Sequence, residues 1–312
     1  MRLSGKVAIV TGGGRGIGAG IAKMFAREGA EVMLAARTQP QLEKVAGSIT
    51  EAGGTVRTIL TDVSKPDEIR RMVAETVSAF GRLDILVNNA GVTWFGKKVE
   101  EATEEMYDQL MDTNLKGMWM GCHYAVPEMK KSGGGAILNI SSVHGVMGFD
   151  QQSAYAASKG GIIAGSRALA VELAPLSIRV NVISPGAIRV REPADRVVER
   201  VGEAHRAEFL ARFEERMSTL RMIHQPMPHV GMPEDIGYCA VYLASDEARF
   251  VTGANFMVDG GLTAQMASLG GNPDPVTREM QHKLHEEIQE WIAEKERERE
   301  LGEKGGTGAK ES

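Results

Sequence analysis

Short apolar runs rich in β-branched residues alternate with amphipathic segments along most of the chain. The runs are nearly continuous in apolar residues, which is typical of strands that helices cover on both faces. They span residues 7–12, 31–37, 55–60, 83–91, 134–142, 178–186 and 254–261. The pattern predicts an α/β fold with seven strands.

The segments between these runs are long enough to form crossover helices. They span residues 16–29, 39–52, 66–80, 103–131, 153–175 and 233–244. A strand–helix–strand unit joins parallel strands, and its connection is right-handed. The sequence therefore predicts a single domain over residues 1–264, with a doubly wound seven-stranded parallel sheet between two layers of helices.

Two parts of the chain fall outside this alternation. Within residues 189–230, helical spacing predicts a helical lid over the strand ends, with apolar positions at Leu210, Phe213, Met217 and Leu220. Within residues 265–312 a second apolar stripe comprises Met280, Leu284, Ile288, Trp291 and Ile292, before the charged run EKERERE. This extension predicts an amphipathic helix that docks on its own domain or on a neighbouring subunit, followed by a disordered end.

The composition excludes several classes of protein. Of 312 residues, 43% are hydrophobic and 25% charged, and the net charge of −5 provides no overall basic field for nucleic acid. No apolar run approaches the length of a membrane span, and the first residues have no signal-peptide pattern. Cys122 and Cys239 lie in apolar segments and are predicted to be inert buried thiols. We expect a cytoplasmic protein without a nucleic-acid or membrane partner.

The stretch TGGGRGIG (11–18) follows the first predicted strand and opens a predicted helix. Glycines at such a turn let the backbone approach a pyrophosphate, and the helix N-terminus offers free N–H groups and a partial positive charge. A glycine-rich turn without a ligand is the alternative, which this strand-to-helix setting disfavours. The predicted dinucleotide contacts in this loop are Gly12, Arg15, Gly16, Ile17 and Gly18.

The end of the second predicted strand bears on which dinucleotide is bound. NAD-binding folds usually carry an acidic residue there, which binds the ribose 2′-OH. This chain has Ala36 followed by Arg37. Arg37 and Arg15 together offer two guanidinium groups for a 2′-phosphate, whereas either one alone is readily a solvated surface residue. The pair favours NADP(H) over NAD(H).

Further motifs follow in the order NNAG (88–91), Asn114, Ser142, YAASK (155–159) and PG (185–186). Together with the glycine loop they resemble the short-chain dehydrogenase/reductase family, over residues 4–264. The resemblance implies a Rossmann-like domain that moves hydride between a nicotinamide cofactor and a secondary alcohol or ketone. It identifies the chain as an NADP-type member with an extended lid and a C-terminal helical tail.

The resemblance also implies a role for each matching residue. Tyr155 would be the general acid/base, Ser142 the hydroxyl that holds the substrate oxygen, Lys159 the group that acidifies Tyr155, and Asn114 part of a water-linked proton relay. The implied cofactor contacts are Asp62 and Val63 at the adenine, Asn88, Ala90 and Gly91 at the centre, and Tyr155, Lys159, Pro185, Gly186 and Ile188 towards the nicotinamide. Many members have Thr where this chain has Val190, so nicotinamide anchoring must rest more on the backbone or the lid.

The chemistry of these side chains suits the implied reaction. Reduction of a ketone needs a hydride donor and a proton donor. Tyr155 and Lys159 are one helical turn apart, and a nearby cation favours the phenolate. Ser142 ends a strand and can donate where negative charge develops, whereas Ser141 should point to the opposite face and be structural. The alternative is that Tyr155 lies at an interface, Lys159 is solvated and Ser142 only ends a strand.

Several apolar residues are candidates for a substrate pocket. They are Trp94, Phe95, His144, Met147, Phe149 and the lid residues Leu210, Phe213 and Met217, although most of them are also compatible with core positions. His144 next to Ser142 suggests a Ser-His hydrolase, but no G-x-S-x-G elbow surrounds that serine. We therefore predict His144 as pocket wall or surface. No residue group has metal-ligand spacing, and no metal is expected.

Two functions from different classes stay open at this point. The first is an NADP-dependent ketone reductase or secondary alcohol dehydrogenase, with a 3-oxoacyl-thioester (acyl-carrier-protein) reductase as a close variant. The second is a non-catalytic cofactor-binding scaffold protein that uses the lid and the tail as contact surfaces. The resemblance further implies a homo-oligomer, a tetramer or a dimer, formed through residues 103–131 and 153–175.

Overall fold

Seven parallel strands form one sheet in the computed structural model, which describes residues 1–94, 97–190, 193–222, 225–265 and 275–306. The strands are β1 (Val7–Thr11), β2 (Glu31–Ala36), β3 (Val56–Leu60), β4 (Ile85–Asn88), β5 (Gly135–Ile140), β6 (Ile178–Pro185) and β7 (Asn255–Val258). Their order across the sheet is β3-β2-β1-β4-β5-β6-β7. Chain order reverses between β1 and β4, and this arrangement confirms the predicted doubly wound fold.

Helices lie in the connections between the strands, and the last helix follows β7. They are α1 (Gly16–Arg27), α2 (Gln39–Glu51), α3 (Pro66–Phe80), α4 (Glu104–Met111), α5 (Gly117–Lys131), α6 (Ser153–Leu173), α7 (Pro193–Val201), α8 (Arg206–Met222), α9 (Pro233–Ala244) and α10 (Pro275–Gly306). A π-helical turn over Asp112–Lys116 joins α4 to α5, so the helix predicted over 103–131 is interrupted. Such turns are frequent at functional sites.

The two faces of the sheet bury separate apolar clusters. Successive side chains of a strand point to opposite faces. Val10 of β1 accordingly packs in one cluster with Phe25 of α1, and Ile9 packs in the other with Met72 of α3. Each such side chain contributes about 1.5–3 kcal/mol when it is fully buried. These clusters fix the carboxyl ends of the strands relative to one another.

The chain divides into two compact units. One comprises Met1–Val190 and Gly231–Asp259, and the other comprises Arg191–Val230 and Gly260–Ser312. The sequence prediction grouped the lid with the sheet and set the C-terminal extension apart, whereas the contacts group these two segments with each other. The location of the lid over the strand ends stays a prediction.

Apolar residues of α10 account for the second unit. Its Leu284, Trp291 and Ile292 are buried in one cluster with residues of α7 and α8, including Phe209 and Phe213. The indole Nε1 of Trp291 donates to Glu208 at 2.9 Å. The predicted amphipathic helix thus docks on its own chain. Helix α10 continues to Gly306, into the end of the chain for which disorder is predicted, and residues 307–312 lie outside the described residues.

Charged residues of α10 also pair with α7 and α8. Arg216 bonds both carboxylate oxygens of Glu287, at 2.7 and 3.1 Å, and Arg200 does the same with Glu296, at 2.9 and 3.1 Å. These pairs flank the apolar stripe and are exposed, so each contributes little to stability. The burial of Trp291 and its neighbours carries most of the docking energy.

Both cysteines are free thiols. Cys122 is buried, as predicted, whereas Cys239 is only half-buried. Burial raises the pKa of Cys122 to about 12 and that of Cys239 to about 11, which disfavours the reactive thiolate. Within the described residues, no helix combines the length and the apolar character needed to cross a membrane.

Candidate active site

Four loops meet at the carboxyl edge of the sheet, where open α/β folds bind ligands. They follow β1, β4, β5 and β6, and they carry the glycine loop, the NNAG motif, Ser142 and the Pro185–Gly186 pair. Because β1, β4, β5 and β6 are neighbours in the sheet, residues far apart in the sequence come together here.

The glycine loop has a geometry that only glycine allows at several positions. Gly12 and Gly16 have φ angles of +65° and +54°. A Cβ at Gly18 would lie 2.3 Å from the carbonyl oxygen of Gly12, so helix α1 approaches the loop without room for a side chain. Helix α1 begins at Gly16 with no side-chain cap, which leaves the amides of its first turn for an anion. The loop therefore fits the predicted pyrophosphate contacts, including Ile17 in that first turn.

Thr11 and Asn89 tie the glycine loop to the NNAG motif. The Thr11 hydroxyl accepts from the backbone N–H groups of Asn89 and Ala90 at 2.9 and 3.1 Å, and Asn89 Nδ2 donates to the Thr11 carbonyl at 2.8 Å. Neither Thr11 nor Asn89 was assigned a role from the sequence. Their positions could have indicated one, because Thr11 directly precedes the glycines and Asn89 lies inside the NNAG motif.

Asn88 turns its side chain into the protein. Its Nδ2 donates to Asn139 Oδ1 at 2.9 Å, and Asn139 in turn donates to the Ser166 hydroxyl at 2.9 Å. The Asn88 side chain is buried with these partners. Any contact of Asn88 with a cofactor would therefore be made by its backbone. The other two predicted contacts of this motif, Ala90 and Gly91, lie on the loop that follows.

Arg37 and Asp62 lie close enough at the ends of β2 and β3 to interact electrostatically. Burial raises the pKa of Asp62, but two hydrogen bonds from Ser64 and the charges of Arg37 and Lys65 outweigh it and hold that pKa below its ordinary value. Val63 is buried and packs against α5. A Cβ added at Gly117 of α5 would lie only 2.7 Å from the Val63 carbonyl oxygen. Arg37 and Arg15 are both exposed. The assignment of this corner to the adenosine end of the site stays a prediction.

Tyr155, Lys159 and Ser142 lie together, as predicted. The Lys159 ammonium is 5.7 Å from the centroid of the Tyr155 ring, and the Ser142 side chain lies close enough to Tyr155 to favour its phenolate. Lys159 Nζ also donates to the Ile140 carbonyl at 2.9 Å. Ser141 points away and donates to the Lys159 carbonyl at 2.8 Å, which fits its predicted structural role.

The protonation properties of the pair differ from the sequence prediction. Burial raises the pKa of Tyr155, and the nearby Ser142 side chain opposes this only in part. Burial also lowers the pKa of Lys159 to about 8. The chain's own groups thus leave the pKa of Tyr155 above its ordinary value, although the sequence predicted that Lys159 would lower it. Desolvation of the phenolate is the largest cause of this shift.

Asn114 lies in the π-helical turn and is almost fully buried. Its side-chain amide accepts from Val92 N at 2.7 Å and donates to the Val92 carbonyl at 2.9 Å. It also donates to the Ser158 hydroxyl at 3.2 Å, and Ser158 donates to the Tyr155 carbonyl at 2.8 Å. These bonds occupy both protons of the Asn114 amide and one of the two lone pairs of Oδ1, so the side chain is held firmly in place.

His144 lies in a short turn directly after Ser142. Its Nδ1 is 3.1 Å from the Ser142 hydroxyl oxygen, and its ring stacks on Phe149 with 4.0 Å between the ring centroids. The His144 ring also packs edge to face with the Tyr155 ring, with 5.2 Å between the ring centroids. Burial and the positive charge of Lys159 lower the pKa of His144. The structure thus brings His144 into contact with two of the candidate catalytic residues.

The segment after β6 approaches the glycine loop. A Cβ at Gly186 would lie 2.7 Å from the Asp259 Cα, which explains the glycine. Ile188 pairs with Gly231 in an isolated parallel bridge, and the Val190 side chain would lie 3.1 Å from a Cβ at Gly16. Pro185, Gly186 and Ile188 thus line one side of the strand-end region, and an apolar Val190 faces the pyrophosphate loop.

The predicted pocket residues have different surroundings. Trp94, Met147 and Phe149 are half-buried in the sheet unit. Phe213 is fully buried against Phe209 and Trp291 in the second unit, so no surface of its side chain is left for a substrate. Phe95 lies outside the described residues. Phe213 was placed in the pocket because helical periodicity identifies a buried face but does not say what covers it.

A cavity of about 430 Å³ borders Tyr155 and Trp94. Most of its wall comes from α4, from the segment before α4 and from the first turns of α6. Its apolar residues include Val99, Ala102, Met106, Leu110, Ala154 and Ala157. The polar groups among its lining residues include Gln152, Lys97 and Lys98. An apolar wall with a few polar groups is typical of a small-molecule site.

A doubly wound sheet, a glycine turn for a pyrophosphate and a Tyr–Lys pair at the same edge define an oxidoreductase that uses a nicotinamide dinucleotide. Residues 12–263 match a family model described as "Enoyl-(Acyl carrier protein) reductase". The chain is 41% identical to the NADP-dependent (R)-specific alcohol dehydrogenase of Lentilactobacillus kefiri, over 85% of this chain and 99% of that one. It is 36% identical to the 3-oxoacyl-[acyl-carrier-protein] reductase of Thermotoga maritima, over 84% and 99%.

A solved structure shows the same relationship in three dimensions. The crystal structure of a short-chain type dehydrogenase/reductase from Mycobacterium marinum matches with a TM-score of 0.73 at 33% identity, over 84% of this chain and 97% of that one. The chain belongs to the short-chain dehydrogenase/reductase family. It is a nicotinamide-dependent oxidoreductase that acts on CH–OH groups, and α10 lies outside the residues that match the family model.

Proposed function

We propose that this protein is an NADPH-dependent ketone reductase, and in reverse a secondary alcohol dehydrogenase, with Tyr155 as its general acid/base. The observation that carries the proposal is the convergence at the edge of the sheet beside the glycine loop. There the side chains of Ser142 and Lys159 both lie beside Tyr155. Gly91 of the NNAG motif lies directly beside Asn114 and Lys159. A Cβ added at Gly91 would lie 3.2 Å from Asn114 Oδ1 and 3.6 Å from Lys159 Nζ.

The glycine loop is the part of the site that suits a dinucleotide best. Gly12, Gly16 and Gly18 leave no side chain between the backbone and a pyrophosphate, and the first turn of α1 offers its amides. Asp62 would hold the adenine side, and the segment from Pro185 to Ile188 the nicotinamide side. A bound nicotinamide cofactor would supply hydride to the carbonyl carbon, or accept it from the alcohol.

Arg15 and Arg37 support NADP(H) over NAD(H). Arg37 follows Ala36, where an acidic residue would bind the ribose 2′-OH and repel a 2′-phosphate. The charge of Arg37 lowers the pKa of Asp62, so the guanidinium lies close to the adenosine end of the site. The 41% identical relative from L. kefiri is named as NADP-dependent, which agrees with this choice.

Tyr155 would donate its phenolic proton to the carbonyl oxygen as negative charge develops there. The raised pKa of Tyr155 keeps the phenol protonated at neutral pH, which suits reduction. Ser142 would donate a second hydrogen bond to the same oxygen. Alcohol oxidation needs the phenolate instead, so its rate should rise with pH.

Lys159 would hold Tyr155 in place and resupply its proton. With a pKa of about 8, its ammonium is able to transfer a proton near neutral pH. The buried Asn114 fixes the Val92 backbone and, through Ser158, the helix turn that carries Tyr155. Its backbone carbonyl is the group on this chain that would hold a water for the relay.

The 430 Å³ cavity beside Tyr155 supports a bulky, largely apolar substrate. Ligand pockets of drug-sized molecules have about 300–1,000 Å³, and this one falls in that range. Trp94 and Tyr155 border it, together with the aliphatic side chains of Met106 and Leu110. We expect a ketone with a hydrophobic body larger than a short alkyl chain.

A 3-oxoacyl thioester of acyl-carrier protein is the second candidate substrate. It is supported by the description of the matching family model and by the 36% identical reductase from T. maritima. A non-catalytic cofactor-binding scaffold that uses the lid and the tail as contact surfaces is the alternative from another class. The presence of Ser142, Tyr155, Lys159 and Asn114 together favours an enzyme. A cytoplasmic location and a dimer or tetramer are retained as predictions.

A substrate screen with both cofactors tests the proposal. Ketones, 3-oxoacyl thioesters and secondary alcohols are each mixed with the full-length protein and NADPH, NADH, NADP+ or NAD+, and the nicotinamide absorbance is followed. We expect turnover of bulky ketones with NADPH. Binding of NADPH without turnover of any compound would refute the proposed catalytic function and support the non-catalytic scaffold.

A further inference from the structure

We propose that His144 is a positioning residue, which holds the Ser142 hydroxyl so that its proton points at the substrate's carbonyl oxygen. The inference rests on the proposed function, in which Ser142 binds that oxygen. His144 would act through Ser142 and would not itself touch the reacting atoms.

Two nitrogen atoms of His144 approach the same oxygen. The backbone N–H of His144 donates to Ser142 Oγ at 3.3 Å, and the ring Nδ1 lies 3.1 Å from that atom. A serine hydroxyl has one proton to donate and two lone pairs that accept. When Nδ1 carries a proton, His144 occupies both lone pairs. The hydroxyl proton is then directed away from His144.

The tautomer of His144 therefore decides what Ser142 offers to the substrate. With a bare Nδ1, the hydroxyl would donate to the ring and turn a lone pair towards the carbonyl oxygen, which is repulsive. With a protonated Nδ1, the hydroxyl proton is available for that oxygen. Binding of a carbonyl group and protonation of Nδ1 thus favour one another. The low pKa of His144 keeps its ring neutral, so this exchange of tautomers needs no net charge.

The ring of His144 is held in the orientation that this bond requires. It stacks on the Phe149 ring, with 4.0 Å between the ring centroids and 24° between the ring planes. It also packs edge to face with the Tyr155 ring, and these two centroids are 5.2 Å apart. The backbone of the turn is fixed as well, because Gly145 N donates to the Ser142 carbonyl at 2.9 Å. A Cβ at Gly145 would lie 2.9 Å from the Lys159 carbonyl, so the turn packs directly on α6. His144 therefore has little freedom to leave Ser142.

Three replacements separate the hydrogen bond from the shape of the ring. His144→Phe keeps the stacking on Phe149 but has no donor. His144→Asn places an amide N–H near the position of Nδ1 without the ring. His144→Gln extends its N–H farther from the backbone, towards the position of Nε2. Each full-length variant is assayed with NADPH and the ketone that the unchanged protein reduces best, and NADPH binding and thermal unfolding are measured alongside.

We expect His144→Phe and His144→Gln to lower kcat/KM by about tenfold to a hundredfold, mainly through kcat, because loss of one transition-state donor has effects of this order or larger. His144→Asn should stay within about threefold of the unchanged protein, and NADPH binding should not change. A role in packing alone predicts the opposite order, with Phe active and Asn impaired. That order, or equal activity of all variants, would overturn the inference.

A double-mutant cycle with Ser142→Ala tests whether His144 acts through Ser142. In the Ser142→Ala background, His144→Phe should have no further effect on kcat/KM. The same loss in both backgrounds would overturn the inference and leave the proposed function intact. If the unchanged protein reduces no carbonyl compound at all, the proposed function fails, and the inference fails with it.

Discussion

The Lys159 ammonium lies 5.7 Å from the centroid of the Tyr155 ring and donates to the Ile140 carbonyl at 2.9 Å. The cation is almost fully buried, and its burial lowers the pKa of Lys159 to about 8. Lys159 is thus held at the functional edge of the sheet under conditions that disfavour its charge. This arrangement affects stability as well as chemistry.

Replacement of Lys159 should make stability less dependent on alkaline pH. The unfolded chain binds this proton up to about pH 10.4, whereas the folded chain releases it near pH 8. Between these values the unfolded state holds more protons, so the free energy of unfolding of the unchanged protein gains a contribution as pH rises. Below pH 8 the burial penalty is fully present, and Lys159→Met should raise the free energy of unfolding by about 1–2 kcal/mol there.

Urea unfolding at several pH values measures this effect. The advantage of Lys159→Met should shrink or reverse between pH 8 and pH 10, while an exposed control, Lys116→Met, should show no such trend. A constant difference between Lys159→Met and the unchanged protein across this range would contradict the assigned burial of the charge.

Arg37 should decide the choice of cofactor. Arg37→Ala removes a guanidinium group that would bind the 2′-phosphate, and charge-assisted bonds contribute about 1.5–3 kcal/mol. The Kd for NADPH should therefore rise by about tenfold or more, with little change for NADH. Fluorescence titration with both cofactors checks this, and Arg57→Ala, at another exposed arginine, is the control. Equal Kd values for NADPH and NADH in the unchanged protein would contradict the NADP assignment.

Size selection should depend on the cavity beside Tyr155. Ala157→Leu adds bulk at its wall and should raise KM for bulky apolar ketones by about tenfold while it spares small ones. Ala164→Leu, an exposed position on the same helix, is the matched control. Steady-state kinetics with a small and a bulky ketone measure the KM of each variant for both substrates. Equal effects on both ketones would mean that the cavity is not the substrate site.

Trp291 should stabilise the second unit. It is buried with Phe209 and Phe213 and donates to Glu208. Trp291→Ala should cost about 3–5 kcal/mol of unfolding free energy. Met280→Ala, on an exposed side chain of the same helix, should change it by less than about 0.5 kcal/mol. Chemical denaturation measures both, and a Trp291→Ala loss below about 1 kcal/mol would contradict the described packing.

Local patterns were sufficient for the sheet and its crossover helices. Most strands are largely apolar runs between turn residues, whereas the edge strand β3 contains Arg57 and Thr58. The glycine loop has a local requirement for positive φ at Gly12 and Gly16. The π-helical turn at Asn114 was not predicted, because one extra residue in a helical turn hardly alters the apolar spacing. Phe213 was assigned to the pocket because periodicity does not identify the partner of a buried face. The partner is Trp291, far away in the sequence.

Properties that depend on three-dimensional burial were beyond the sequence. The pairing of Tyr155 with Lys159 followed from helical spacing, but the direction of the Tyr155 pKa shift depends on how much water the fold excludes. The contact of His144 with Ser142 arises in a short turn, which has no periodicity to signal it. The side-chain bonds of Asn88 and Asn114 likewise required the structure.

The role of Tyr155 as proton donor is tested by comparing the unchanged protein with Tyr155→Phe in NADPH oxidation by a ketone that the screen identifies. Proton donation by a positioned side chain contributes about 10²–10⁴-fold, so kcat/KM should fall by at least about a hundredfold. NADPH binding and the unfolding temperature should stay close to those of the unchanged protein. Activity of Tyr155→Phe within about threefold of the unchanged protein would contradict the assignment of Tyr155 as the proton donor.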